Sequence, residues 1–306
     1  MRSARWSAGS PWRAPVAMQD HLFWFGSRGC IFTSPSFLAG NTTRPAAVLL
    51  LSATGEPIEV SAHGRVTRGD AVYVPPMCTR QLRAGNGGLV SVNIHAQHPA
   101  FRAFCGGADA GVLQLDRSAF ARHDEQLLDA CHGRLSHADA AALFEALVGT
   151  ATEQLPASEP CDPRVAILRD LMRRSPGCTL EEMAERLHVG YTTASHVFAR
   201  LMGVPLRSYQ LWIKAIRAAA RMAVGAQLTH IAHEVGFVDS AHLSRTWRRT
   251  YGFAPSRITD GTQVRVLASC LGHGAASRSS PVALTCPACA SRSAPSAGGR
   301  FRSRPG

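Results

Sequence analysis

Residues 231–253 read IAHEVGFVDSAHLSRTWRRTYGF. Leu243 and Trp247 stand four apart, so on a helix they form one apolar stripe. Ser240, Ala241, His242, Ser244 and Arg245 fall on the complementary surface, near the N-terminal end of that helix. Gly236 offers a turn ahead of it, and Phe237 can plug the corner between two helices. Asp239 is placed to cap the first turn, where orphaned N–H groups need an acceptor. Alone, this is an amphipathic helix with a solvated basic face.

A second copy of the pattern changes that reading. Met183-Ala184 and Leu187 match Ile231-Ala232 and Val235 at an offset of 48, and Phe198, Arg200 and Gly203 match Trp247, Arg249 and Gly252 at an offset of 49. Each unit reads as a short helix, a tight turn and a second helix that ends at glycine. Thr179 with Glu182 three residues on forms a capping box for the first unit. A helix that crosses a tight turn into an amphipathic helix is the helix-turn-helix arrangement, whose second helix can enter a DNA major groove. Between the units, PLRSYQLWIKAIRAAARMAVG (205–225) predicts one long helix, opened by Pro205, with Tyr209, Ile213, Ile216 and Ala220 on one stripe. A rigid connector can hold two reading heads on successive groove turns, about 34 Å apart. Ahead of the units, a helix from about Pro163 to Arg174 puts Ile167, Leu168, Leu171 and Met172 on one face.

Charge supports this division. The chain has 306 residues, enough for about two domains, and a net charge of +12. Residues 1–161 balance 13 cations against 13 anions, whereas 162–258 hold 14 against 7 and 259–306 hold 6 against 1. The excess positive charge lies in the C-terminal half, as expected for a nucleic-acid-binding module joined to a neutral one. No apolar run reaches the length of a membrane span. The start, MRSARWSAGSPWRAP, lacks the apolar stretch of a secretory signal, and translation from Met18 is equally compatible. Nine scattered cysteines do not resemble a disulfide framework, so a reducing cytoplasm is the expected compartment.

The N-terminal half reads as β structure. AAVLLLS (46–52), PIEVSA (57–62), AVYVP (71–75) and LVSVNI (89–94) are short β-branched runs separated by turn signals, which argues for a small sandwich or barrel. Residues 118–154 switch to helical spacing, with Leu127, Leu128, Cys131, Leu143, Phe144, Leu147 and Val148 as stripes. They can bury against the sheet or pair with a second chain. The resulting domain plan is an N-terminal extension over 1–20, a β domain over 21–155, a linker over 156–162, a helical domain over 163–258 and a disordered basic tail over 259–306.

IAHEVGFVDSAHLSRTWRRTYGFAP resembles the second helix-turn-helix of AraC/XylS-type bacterial transcription regulators, whose signature has the same IA…VGF…S…R…G…P spacing. The resemblance covers roughly residues 163–258. It implies a multi-domain protein with a cupin-like β-barrel, flanked by helices, that binds an effector or dimerises, followed by an all-α double helix-turn-helix domain. RGDAVYVPP (68–76) resembles the Gly-Asp strand and Pro pair of such barrels. The implied function is a cytoplasmic, sequence-specific transcription regulator, with activator and repressor both left open. It would act on double-stranded promoter DNA as a homodimer, meeting RNA polymerase and a small-molecule effector, with neither catalysis nor a cofactor. Thr192, Ser195, His196, Ser240, His242, Ser244 and Arg245 would face bases. Arg200, Lys214, Arg217, Arg248 and Arg249 would meet phosphates. The first unit departs from the pattern: Gly190 replaces a Ser-like cap, Ala194 the usual Leu, and His196 a frequent Arg. The long tail is also atypical.

Other chemistry finds weaker footing. CLGH (270–273) and CPAC (286–289) have zinc-like spacing, but no strand pattern or core lies between them. Among His21, His63, His95 and His98 no His-x-His with a nearby Glu appears, and residues 91–99 have no acidic neighbour, so no metal is expected in the β domain. Tyr73, Arg80 and His95 could line an inducer pocket or simply pack. A metal-dependent cupin enzyme fused to a binding module, and a non-specific basic nucleic-acid binder, stay open as alternatives.

Overall fold

The computed structural model describes residues 21–35, 37–106, 111–156, 162–175, 177–222, 226–256 and 264–268. Its first half contains strands β1 (His21–Phe25), β2 (Gly29–Ser34), β3 (Phe37–Thr42), β4 (Ala46–Ser52), β5 (Ile58–Ala62), β6 (Arg65–Gly69), β7 (Ala71–Val74), β8 (Arg80–Ala84) and β9 (Leu89–His95). A short helix α1 (Phe101–Gly106) and a two-residue strand β10 (Leu113–Gln114) follow. The expected runs are therefore strands β4, β5, β7 and β9, and the sheet begins about 25 residues earlier than those runs. GCIFTS and RQLRA were not visible as strands because neither shows a clean apolar alternation, yet β2 is buried along its whole length.

Two sheets result. One has the order β10-β7-β4-β9-β2-β1, extended at the β1 edge by β11 (Val264–Ala268), and the other has the order β3-β8-β5-β6. The strands do not close into a single hydrogen-bonded barrel, so the cupin-like domain is an open two-sheet form. β4 pairs with both β7 and β9 and is buried along its entire length, which explains its unbroken AAVLLLS run. β11 pairs in parallel with β1, Val264 opposite His21 through Ala268 opposite Phe25. This corrects the tail read as disordered from residue 259: VRVLA is short and β-branched enough to cover an otherwise open edge. The 1–20 extension, the CLGH and CPAC pairs and the remainder of the tail lie outside the described residues.

Residues 117–155 pack beside the larger sheet, through a 3-10 turn (Arg117–His123), α2 (Asp124–Cys131) and α3 (His137–Glu153). Ser136 and Asp139 form a reciprocal capping box that starts α3. Phe144 lies 5.4 Å from Trp24, ring to ring, over Gly29, where any Cβ would sit 2.1 Å from the Phe144 ring. Leu127 and Cys131 are buried, whereas Leu128, placed on the same stripe from sequence, is 37% exposed.

The second half is helical: α4 (Arg164–Arg174), α5 (Leu180–Leu187), α6 (Tyr191–Met202), α7 (Leu206–Met222), α8 (Leu228–Glu234) and α9 (Ser240–Tyr251). In α4 the buried face is Val165, Leu168, Leu171 and Met172, and Ile167 is 42% exposed, correcting the expected stripe. The connector α7 spans 17 residues, about 25 Å of helix. It buries Trp212, Ala215, Ala218, Ala219 and Met222 as well as the Tyr209, Ile213 and Ile216 stripe. One face of α7 packs on the helix-turn-helix units and the other on the β domain, where Trp212 meets His95 edge to face at 5.3 Å. A single predicted stripe therefore undercounts what α7 covers.

The halves join through a dense set of contacts. Arg44, 3% exposed, donates Nε to the Thr250 carbonyl at 2.8 Å and Nη1 to Asn93 Oδ1 at 2.5 Å. The Thr43 N–H bonds to the Arg249 carbonyl at 3.1 Å. Gln97 donates to Tyr209 Oη at 2.8 Å and to the Met172 carbonyl at 3.0 Å. Phe253 stacks on Phe32 at 5.4 Å.

Two predictions follow from this junction. Gly252 has φ +85°, and a Cβ there would stand 2.7 Å from the Ala39 Cβ. Gly252→Ala should lower stability by more than the roughly 1–2 kcal/mol of left-handed backbone strain alone, as read by denaturant unfolding. His95 is fully buried, its Nε2 has no hydrogen-bond partner among the described residues, and burial pushes its pKa down to about 3. Its unfolded value is near 6.5, so the native state binds fewer protons than the unfolded chain between those values. Stability should fall as pH drops from about 6.5 towards 3, and His95→Phe should flatten that slope in thermal melts run across the same pH range.

Candidate nucleic-acid interface

Both helix-turn-helix units form, and their offset is visible in the backbone. In the first, Thr179 accepts from the Glu182 N–H at 3.2 Å while Glu182 accepts from the Thr179 N–H at 2.8 Å. In the second, Asp239 accepts from the His242 N–H at 2.5 Å, the expected N-cap of α9. Gly236 takes φ +86°, and the residue 48 positions upstream, His188, takes φ +53°. The first unit thus meets with a non-glycine residue the same left-handed turn that glycine makes in the second. Gly203 and Gly252 end α6 and α9 in the left-handed conformation, 49 residues apart.

The corner is packed from inside. Phe237 is buried and meets the His242 ring edge to face at 5.1 Å. Leu243 and Trp247 are buried as the inner stripe of α9, and Ala194, Val197, Phe198 and Leu201 as that of α6. Ala194 is fully buried, so the smaller residue is accommodated in the packing where the family has Leu. Gly190 is the N-cap of α6 and provides no side-chain cap.

The outer faces are open. Thr192, His196 and Arg245 are exposed, and Ser195, Ser240, His242 and Ser244 are half-buried. All seven lie on the two recognition helices. The Phe237 contact and the Asp239 cap hold His242 towards the turn. Arg200, Arg217, Arg248 and Arg249 are exposed, and none of their guanidinium groups forms an ion pair among the described residues. Lys214 is different: its ammonium donates to the Gly236 carbonyl at 2.7 Å. That bond fastens α7 to the second turn. Arg221, also on α7, pairs with Glu234 of α8.

Sequence reasoning did not see how the β domain grips both recognition helices at their C-terminal ends. Arg102 donates Nη1 to the Leu201 carbonyl at 3.1 Å, at the end of α6. Arg44 and Thr43 serve the Thr250 and Arg249 carbonyls at the end of α9. A helix ends with unsatisfied carbonyls and partial negative charge, which a cationic donor offsets. The two terminal glycines are pressed against the same domain. A Cβ on Gly203 would lie 2.5 Å from Cys105 Sγ, and one on Gly252 would meet Ala39. Nothing in the local pattern of TTRP (42–45) or AFRAF (100–104) signals these distant partners.

Comparison with known proteins bears on this geometry. Residues 183–260 match a helix-turn-helix domain family. The chain thus carries a helix-turn-helix domain over these residues. No curated protein matches the chain. Among solved structures, it is similar to ToxT from Vibrio cholerae O395 at 12% identity and TM-score 0.48, over 76% of this chain and 96% of that one. It is also similar to the AraC-like transcriptional activator CuxR at 12% identity and TM-score 0.29, over 63% of this chain and 74% of that one. Among the described residues no helix is long and apolar enough to cross a membrane, and no group of His, Cys, Asp and Glu could hold a metal ion.

The helix-turn-helix domain carries two correctable weaknesses in its first unit. A bulky side chain in the left-handed region costs about 1–2 kcal/mol, and a missing N-cap side chain a few tenths. The Gly190 Cβ position has no neighbour closer than Thr193 Oγ1 at 3.9 Å, so a serine fits there. The double variant His188→Gly, Gly190→Ser should unfold at higher denaturant than the parent, with Gly190→Ser alone providing the smaller share.

Proposed function

We propose that the protein reads a specific promoter sequence with α6 and α9 and regulates transcription in response to a small molecule held by the β domain. The reading is supported above all by the two matched, outward-facing recognition helices, α9 presenting Ser240, Ser244 and Arg245 beside an unpaired basic rim of Arg248 and Arg249. Small polar residues at the N-terminal end permit close approach to base edges, and Arg245 has the reach for guanine O6 and N7. Arg200, Arg217, Arg248 and Arg249 supply phosphate contacts and hence salt-dependent affinity. Thr192, Ser195 and His196 supply a looser readout from α6. Binding as a homodimer and contact with RNA polymerase belong to the same proposal, as does action in the cytoplasm. No catalysis is assigned.

The effector half of the proposal is supported by buried charge. Arg80 is 2% exposed, Arg44 lies close enough to depress its pKa further, and neither pairs with a carboxylate among the described residues. Two buried cations without a counter-charge favour an anionic ligand as the effector class.

Selection of duplexes from a random library by the full-length protein tests the DNA reading. A recovered consensus supports it; equal affinity and salt slope for selected and random DNA would overturn it in favour of a non-specific binder. On the recovered site, Arg245→Ala should cost about 1–3 kcal/mol and relax preference at one base pair. Equal losses on every sequence would instead make Arg245 a phosphate clamp.

A further inference from the structure

Five large apolar side chains are exposed among the described residues: Val66, Leu128, Ile167, Tyr191 and Val238. Two of the five stand at the N-terminal ends of the two recognition helices. Tyr191 is the first residue of α6 and is 55% exposed, and Val238 lies two residues before the start of α9 and is 75% exposed, more than any other of the five. The packing of neither helix accounts for them, because both inner stripes are complete without them.

Both side chains are held on stiff backbone. Val238 follows Phe237, whose N–H bonds to the Ala232 carbonyl at 2.8 Å, and precedes Asp239, whose carboxylate caps α9. Tyr191 follows Gly190, whose carbonyl accepts from the N–H groups of both Thr193 and Ala194 at 3.0 Å. An apolar group fixed in place before binding loses little conformational freedom on contact. In the major groove the apolar feature of the base edges is the thymine C5-methyl, and polar serine, threonine and histidine neighbours do not exploit it fully.

On the reading of α6 and α9 as DNA-reading helices, we propose that Tyr191 and Val238 are further specificity-determining residues, each packing against a thymine methyl group at the edge of its helix's base contacts. Arg245 and the serines read hydrogen-bonding edges, while Val238 adds selection for thymine beside them, and Tyr191 does the same for the first unit. The pair would partly offset the weak polar readout of α6.

Replacing thymine by deoxyuridine removes the methyl and leaves pairing and the hydrogen-bonding edge unchanged. On a duplex selected by the full-length protein, deoxyuridine is placed at one thymine at a time and affinity is read by fluorescence anisotropy at fixed salt. The parent protein should bind about fourfold more weakly at one thymine in each half-site, the worth of roughly one buried methyl. Val238→Ala should abolish that penalty in the half read by α9, and Tyr191→Ala in the half read by α6, each leaving the other half's penalty intact. Both positions are exposed, and unchanged melting curves confirm that the variants fold. A parent protein indifferent to every deoxyuridine, or variants that retain the penalty, would overturn the proposal while leaving the DNA reading intact. Failure to select any sequence would remove both, and is distinguished by the absence of a consensus.

Discussion

The contact on which the rest depends is Arg44 reaching from the β domain to the Thr250 carbonyl at the end of α9. Its guanidinium is almost wholly buried, bonded to Asn93 and lying 5.5 Å from the Tyr251 ring centroid. Burying a cation is costly unless each donor finds a partner, so this arrangement holds only while the two halves are docked. Around it Tyr251, Trp212, Trp247 and Phe253 form a continuous aromatic cluster that reaches Phe23 and Phe32 of the β domain. The described residues from His21 to Ala268 thus belong to one compact unit.

This docking has a mechanical consequence. Arg102 holds the end of α6, Arg44 and Thr43 hold the end of α9, and Trp212 and Tyr209 hold the connector between them. All three elements that set the separation and tilt of the reading heads are thus fastened to one body. On the outer faces of α6 and α9, Thr192, His196 and Arg245 stay exposed. A change in the β domain around Arg44 is therefore mechanically connected to α9.

The two units are unequal for reasons visible in single residues. The second has glycine at its left-handed turn, an aspartate cap and a lysine fastening the turn to α7. The first has histidine at that turn and glycine at the cap. Local stability therefore favours the second unit over the first.

What the sequence determined by itself was everything written in local periodicity. The helix-turn-helix units, their 48–49 residue offset, the caps at Thr179 and Asp239 and the strands β4, β5, β7 and β9 all depend on neighbours within a turn or two. The outward placement of Arg245 and its neighbours follows from the same periodicity, since burying Leu243 and Trp247 turns the opposite face outward. Only the tertiary structure decided the pairing of β11 with β1, the second buried face of α7, the bond from Lys214 to Gly236 and the burial of Arg44. Each of these joins residues 22 to more than 200 positions apart, where no periodic signal survives. An arginine beside a proline reads as a solvated loop residue until the helix end it serves has been folded against it.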